Sequence, residues 1–106
     1  MAKNDTLDPD DKVRLLRALA FQIHRKRPGD EALGEILGQE SRGGRSRVFR
    51  PANDALAERG FSAAMQVLGM VSDEAAILLE VVIDANDHRL LSSALGKLAD
   101  FIEGQQ

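Results

Sequence analysis

Apolar residues recur at helical spacing along most of the chain, in short stripes separated by proline, glycine and acidic caps. Asp8-Pro9-Asp10-Asp11 has the composition of a helix start: a capping carboxylate, a proline suited to the first helical position, and acids at the positive end of the dipole. Val13, Leu16, Ala20 and Ile23 follow at helical intervals, with Leu15, Leu19 and Phe21 widening the stripe. Arg25-Lys26-Arg27 suits the negative end of that helix, and Pro28-Gly29 ends it. A second, shorter helix is expected from Asp30, with Ala32, Leu33, Ile36 and Leu37 on its apolar face. Gly34 and Gly38 on this helix either weaken it or permit a close crossing by a neighbour.

The run RGGRSRVFRP, 42–51, reads as a break, with a third helix resuming near Val48 or Pro51 and either beginning or kinking at that proline. Its face is Ala52, Ala55 and Leu56, and Gly60 closes it. Another helical stretch covers Phe61 to Met70, with Ala63, Ala64, Val67, Leu68 and Met70 apolar. Ser72-Asp73-Glu74 is a fresh cap. Ala75 to Ala85 is apolar almost all round, which predicts burial and fits a helix or a β-branched strand equally. Asn86-Asp87-His88 predicts a turn or cap. Leu91, Ala94, Leu95, Leu98 and Ile102 then define the clearest helix, stopped at Gly104. The expected fold is all-α, a compact antiparallel bundle of five or six short helices. Residues 8–106 form its single domain behind a flexible lead-in, 1–7.

A chain of 106 residues with 43% apolar and 29% charged residues supports one modest core. The net charge of -3 is unevenly spread. Residues 1–59 carry 12 Lys/Arg and 10 Asp/Glu, and residues 60–106 carry 2 and 7. With no cysteine there is no disulfide framework, thiolate nucleophile or zinc finger. The polar start lacks a signal-peptide core, and the longest apolar run, Ala75 to Leu79, is far short of the about 20 residues that span a bilayer. A soluble, cytoplasmic chain is expected. All four aromatics are Phe, a poor supply of base-stacking platforms.

Few residues offer chemistry. His24 and His88 are the only histidines. Asp84, Asn86 and Asp87 are the one candidate cation site, though the loop lacks the length and glycine of a calcium-binding helix-loop-helix. His88 lies one helical turn before Ser92, with no nucleophile-elbow motif around it. Gly43-Gly44 has no following Lys-Ser/Thr, so it is not a phosphate loop. No catalytic residue and no cofactor are expected.

The cations are more informative. Arg42, Arg45, Arg47 and Arg50, joined by Arg25, Lys26 and Arg27 if one end of the bundle gathers them, can serve as a solvated connection, a protein-docking surface or a phosphate-contacting patch. The four arginines of 42–50 are the best partner-binding candidates. A small helical nucleic-acid-binding regulator using Arg42–Arg50 is the alternative reading, but no recognition-helix pattern follows and Asp30, Glu31, Glu35 and Glu40 lie among the cations.

Two segments, 15–40 (LLRALAFQIHRKRPGDEALGEILGQE) and 60–103, together resemble a family. They are similar to the cytoplasmic domain of the F-type inner-membrane platform proteins of type II secretion and type IV pilus systems. The resemblance rests on LLRALA in the first helix, Glu31-Ala32-Leu33 in the second, Gly60-Phe61 followed by Ala63-Ala64, and Leu91, Ala94-Leu95, Leu98-Ala99 and Glu103 in the closing helix. At Ala85-Asn86-Asp87-His88-Arg89 the family's Gly-Glu pair and later glycine are missing, and with them any acidic metal contact of that glutamate. The resemblance implies a six-helix antiparallel bundle acting as a non-enzymatic scaffold at the cytoplasmic face of the inner membrane. It implies docking of the assembly ATPase and other platform components, self-association, and membrane attachment only through a segment outside this chain.

Overall fold

The computed structural model describes residues 7–105, and every regular element among them is helical. The order is α1 (Pro9–His24), α2 (Gly29–Glu40), a π-helical turn (Ser41–Arg45), α3 (Ser46–Arg59), α4 (Phe61–Val67), α5 (Asp73–Asp84) and α6 (His88–Gly104). The all-α bundle expected from the apolar stripes is the observed architecture. The stretch that fitted either helix or strand, 75–85, is helical. Of the lead-in, 1–7, only Leu7 falls within the described residues, and it is buried in the core.

The helix ends follow from local chemistry. Asp8 caps α1, its Oδ1 accepting the Asp11 N–H at 2.8 Å, and Pro9 occupies the first turn. Ser72 caps α5 through the Ala75 N–H at 3.1 Å. Asp87 caps α6 with one oxygen accepting from the Arg89 and Leu90 N–H groups at 3.0 and 3.1 Å. Helix α1 stops at His24, before Pro28, because Lys26 turns left-handed at φ 71°. The Lys26 and Arg27 N–H groups then close on the carbonyls of Ile23 and Gln22. At Gly60, φ is 99° and ψ is -173°, a conformation essentially confined to glycine, and here the chain leaves α3 and enters α4 directly. Asn86, at φ 55°, makes the left-handed turn between α5 and α6.

Antiparallel α1 and α6 form the most extensive helix pair, burying Leu15, Leu16, Leu19, Leu91, Leu95 and Ala99. Arg17 ties their outer edge, reaching Asp100 at 3.0 Å and Glu103 at 2.8 Å. Helix α2 runs back along α1 and then against α3, so the chain reverses between α2 and α3 as expected. The reversal is made by the wide π-helical turn, however, and α3 begins at Ser46, ahead of the expected Val48 or Pro51. Pro51 therefore lies inside α3, where it deprives the Arg47 carbonyl of its usual N–H donor. The early start carries Val48 and fully buried Phe49 into the core.

The two glycines of α2 do not mark a tight crossing. A Cβ at Gly34 would sit 3.6 Å from Leu56, and one at Gly38 would sit 3.7 Å from Arg42, both ordinary contacts. Close approach occurs instead at Gly29, where a Cβ would lie 3.3 Å from the Phe61 ring and 3.5 Å from Leu91.

Candidate interaction surfaces

The arginines of 42–50 occupy different environments. Arg45 lies against the protein: its Nη1 donates to Asp11 Oδ2 at 2.8 Å, and its guanidinium stands 5.7 Å from the centre of the Phe49 ring. It locks the turn to the first turn of α1. Arg42, Arg47 and Arg50 are exposed and make no ion pair among the described residues. Arg25, Lys26 and Arg27 sit at the far end of α1 from Asp11, separated from the arginine turn by a helix of 16 residues, about 24 Å at 1.5 Å per residue. The two basic groups thus do not gather at one end.

The pairing around Asp11 is reflected in its titration. Burial pushes the Asp11 carboxyl up, but hydrogen bonds and charge from Arg45 and Arg14 outweigh it and hold the group below its ordinary value. Glu40 is likewise lowered, chiefly by its hydrogen bonds from Arg14.

The candidate cation site is not assembled. Asp84 ends α5, Asn86 supplies the left-handed turn, and the Asp87 carboxylate is occupied as the α6 cap. No group of three His, Cys, Asp or Glu side chains suited to a metal ion occurs among the described residues. The Ser92 hydroxyl donates back to the Arg89 carbonyl of its own helix at 3.4 Å. His88 lines a cleft of about 470 Å³ between the α1–α2 and α5–α6 turns, together with Lys26, Asp30, Phe61, Val82 and Leu91.

The surface that the apolar pattern missed lies on α5. The stretch expected to be buried all round buries only Ala76 and Leu79. Ile77, Leu78 and Val81 are 65%, 67% and 63% exposed. At about 3.6 residues per turn these three share one side of the helix. Leu78 continues into an apolar groove of about 190 Å³ between α5 and α6, lined by Val71, Ala75, Val82, Ala94 and Leu98. Val71, Ala75 and Leu98 also line a second hollow that reaches Phe101, which is 62% exposed. Phe21, at the edge of the α1 stripe, and Val67 are exposed as well, the Phe21 ring carrying Arg25 at 5.6 Å. No described helix is long and apolar enough to cross a membrane.

Comparison with protein-family models, curated proteins and solved structures finds no match for this chain.

Proposed function

We propose that this domain is a non-enzymatic interaction module, a scaffold of the kind formed by the cytoplasmic domains of F-type platform proteins in type II secretion and type IV pilus systems. The partners this reading gives it are the assembly ATPase and other inner-membrane components, met at the cytoplasmic face of that membrane. One observation carries the reading: Ile77, Leu78 and Val81 lie exposed beside an open apolar groove. Contiguous apolar surface of this kind marks a site of contact with another molecule. The test is retention of the assembly ATPase of a type II secretion or type IV pilus system on immobilised domain at low salt. Retention that falls with Ile77→Glu or Leu78→Glu is expected, and absence of any retention overturns the platform reading.

A second reading has one observation in its favour. Arg42, Arg47 and Arg50 project from the α2–α3 reversal without partners among the described residues, as phosphate-contacting cations do. A gel shift with random duplex DNA at low salt decides it: a nucleic-acid regulator gives a shift that salt abolishes.

A further inference from the structure

The charges of helix α5 are all of one sign, Asp73, Glu74, Glu80 and Asp84, with no Lys or Arg; α2 is likewise all acidic, but its Glu35 and Glu40 are held in ion pairs by Arg27 and Arg14. Asp73 accepts a hydrogen bond from Gln66 Nε2 at 2.8 Å. None of the four is in an ion pair among the described residues, where the ion pairs join Arg14, Arg17, Arg27 and Arg45 to Asp11, Glu35, Glu40, Asp100 and Glu103. The uncompensated acids flank Ile77 and Val81 on the same exposed side. Across the groove the rim changes sign, since Lys97 follows Ala94 and precedes Leu98 on α6.

We infer that the α5 face and the α5–α6 groove receive an amphipathic helix of a partner protein, whose apolar stripe is flanked by lysine or arginine on the side that meets α5. This rests on the reading of the domain as an interaction module and names the chemistry of what docks.

Two other occupants fit worse. A second copy seated α5 on α5 would bring Glu80 and Asp84 of both chains into one low-dielectric contact, and like charges so placed oppose association. A second copy presenting its arginine turn would bring cations without an apolar stripe, because none of the exposed large apolar residues lies on α2, the turn or α3. An anionic lipid surface is repelled by the same acids. A cationic amphipathic helix supplies both missing parts, apolar anchors for the groove and positive charge for its α5 rim. The asymmetry of that rim, acidic on α5 and basic at Lys97, favours one way of seating the helix.

The probes are two fluorescein-labelled peptides of roughly 18 residues, five helical turns, with leucine at i, i+3, i+4 and i+7 and either lysine or glutamate elsewhere. Anisotropy at low salt is expected to show the lysine peptide binding about ten-fold tighter than the glutamate peptide, with an affinity that salt weakens. Ile77→Ser with Val81→Ser lowers that affinity. Glu80→Gln with Asp84→Asn weakens its salt dependence, Asp73 and Glu74 remaining, and Phe21→Ser leaves the affinity unchanged. All these positions are exposed, and circular dichroism verifies that each variant folds. Equal binding of the two peptides, no binding of either, or indifference to the Ile77 and Val81 changes overturns the proposal. So does a concentration-dependent dimer in sedimentation that Ile77→Ser dissolves. Loss of the lysine-peptide preference with ATPase retention intact removes only the assigned occupant; the converse result removes only the platform assignment.

Discussion

Arg14 on α1 grips Glu40 at the end of α2 through two parallel hydrogen bonds, Nη1 to Oε2 at 2.8 Å and Nη2 to Oε1 at 3.0 Å. The same guanidinium touches Asp11 at 3.4 Å, and Asp11 in turn holds Arg45. One chain of four charges therefore fastens α1 to the α2–α3 reversal. Both carboxyls titrate below their ordinary values, 4.5 for Glu40 and 3.8 for Asp11. A lowered folded value means that the stabilisation is complete above the ordinary value and is lost as pH falls through the folded one. Stability is thus expected to be flat at neutral pH and to drop on acidification below about pH 4.5. Arg14 is half exposed, so solvent screening limits Glu40→Gln to a loss of about 1 kcal/mol or less at pH 7. That variant also shows a shallower acid limb. Urea denaturation at a series of pH values measures both.

Arg45 and Arg47 are neighbours in sequence with opposite roles. Arg45→Glu places a carboxylate against Asp11 and removes the cation over Phe49, so it is expected to lower stability by roughly 1–3 kcal/mol. Arg47→Glu is expected to stay within about 0.5 kcal/mol of the parent, as exposed substitutions do. Thermal melts separate the two, and equal effects would show that the turn is not anchored to α1.

Phe49 and Phe101 give the corresponding contrast for aromatics. Phe49 is fully buried, and Phe49→Ala is expected to cost about 3–5 kcal/mol through lost burial and the cavity left behind. Phe101→Ala should cost little, because most of that ring already faces solvent. Denaturant midpoints at constant slope provide the check.

Asp87→Ala removes the acceptor for two N–H groups at the start of α6 and is expected to destabilise the fold by about 1 kcal/mol. The loss is the same with or without calcium, since the carboxylate acts as a cap. A melting temperature that calcium raises in the parent but not in the variant would contradict this.

Gly60→Ala puts a Cβ on a residue at φ 99°. Nothing lies within 4 Å of that position, so the expected cost of about 1–3 kcal/mol comes from backbone strain alone. No companion substitution in neighbouring side chains should rescue it.

The parts of the fold legible in the sequence were those governed by local rules. Asp8, Ser72 and Gly60 mark helix boundaries through capping and glycine geometry, and the stripes of α1 and α6 identify their buried sides. Of the two starts open for α3, the one near Val48 lies within two residues of Ser46, whereas Pro51, a residue suited to a first turn, lies inside the helix, where the packing of Val48 and Phe49 outweighs the lost hydrogen bond. The α5 surface was illegible for a different reason. An apolar residue has the same pattern whether it fills a core or faces solvent, so Ile77, Leu78 and Val81 read as interior. The roles of the arginines depended on contacts between residues far apart, such as Arg45 with Asp11. Spacing along the chain says nothing about which cations find a partner.

The shallow seating of α5 bears on the timing of its motions. With only Ala76 and Leu79 buried, this helix is anchored by far less apolar contact than α1 or α6, so its backbone amides should exchange with solvent through local opening while the rest of the bundle remains closed. The segment that carries the docking face is then also less protected than α1 and α6. A bound helix would slow that exchange in α5 selectively, giving a footprint of occupancy readable residue by residue.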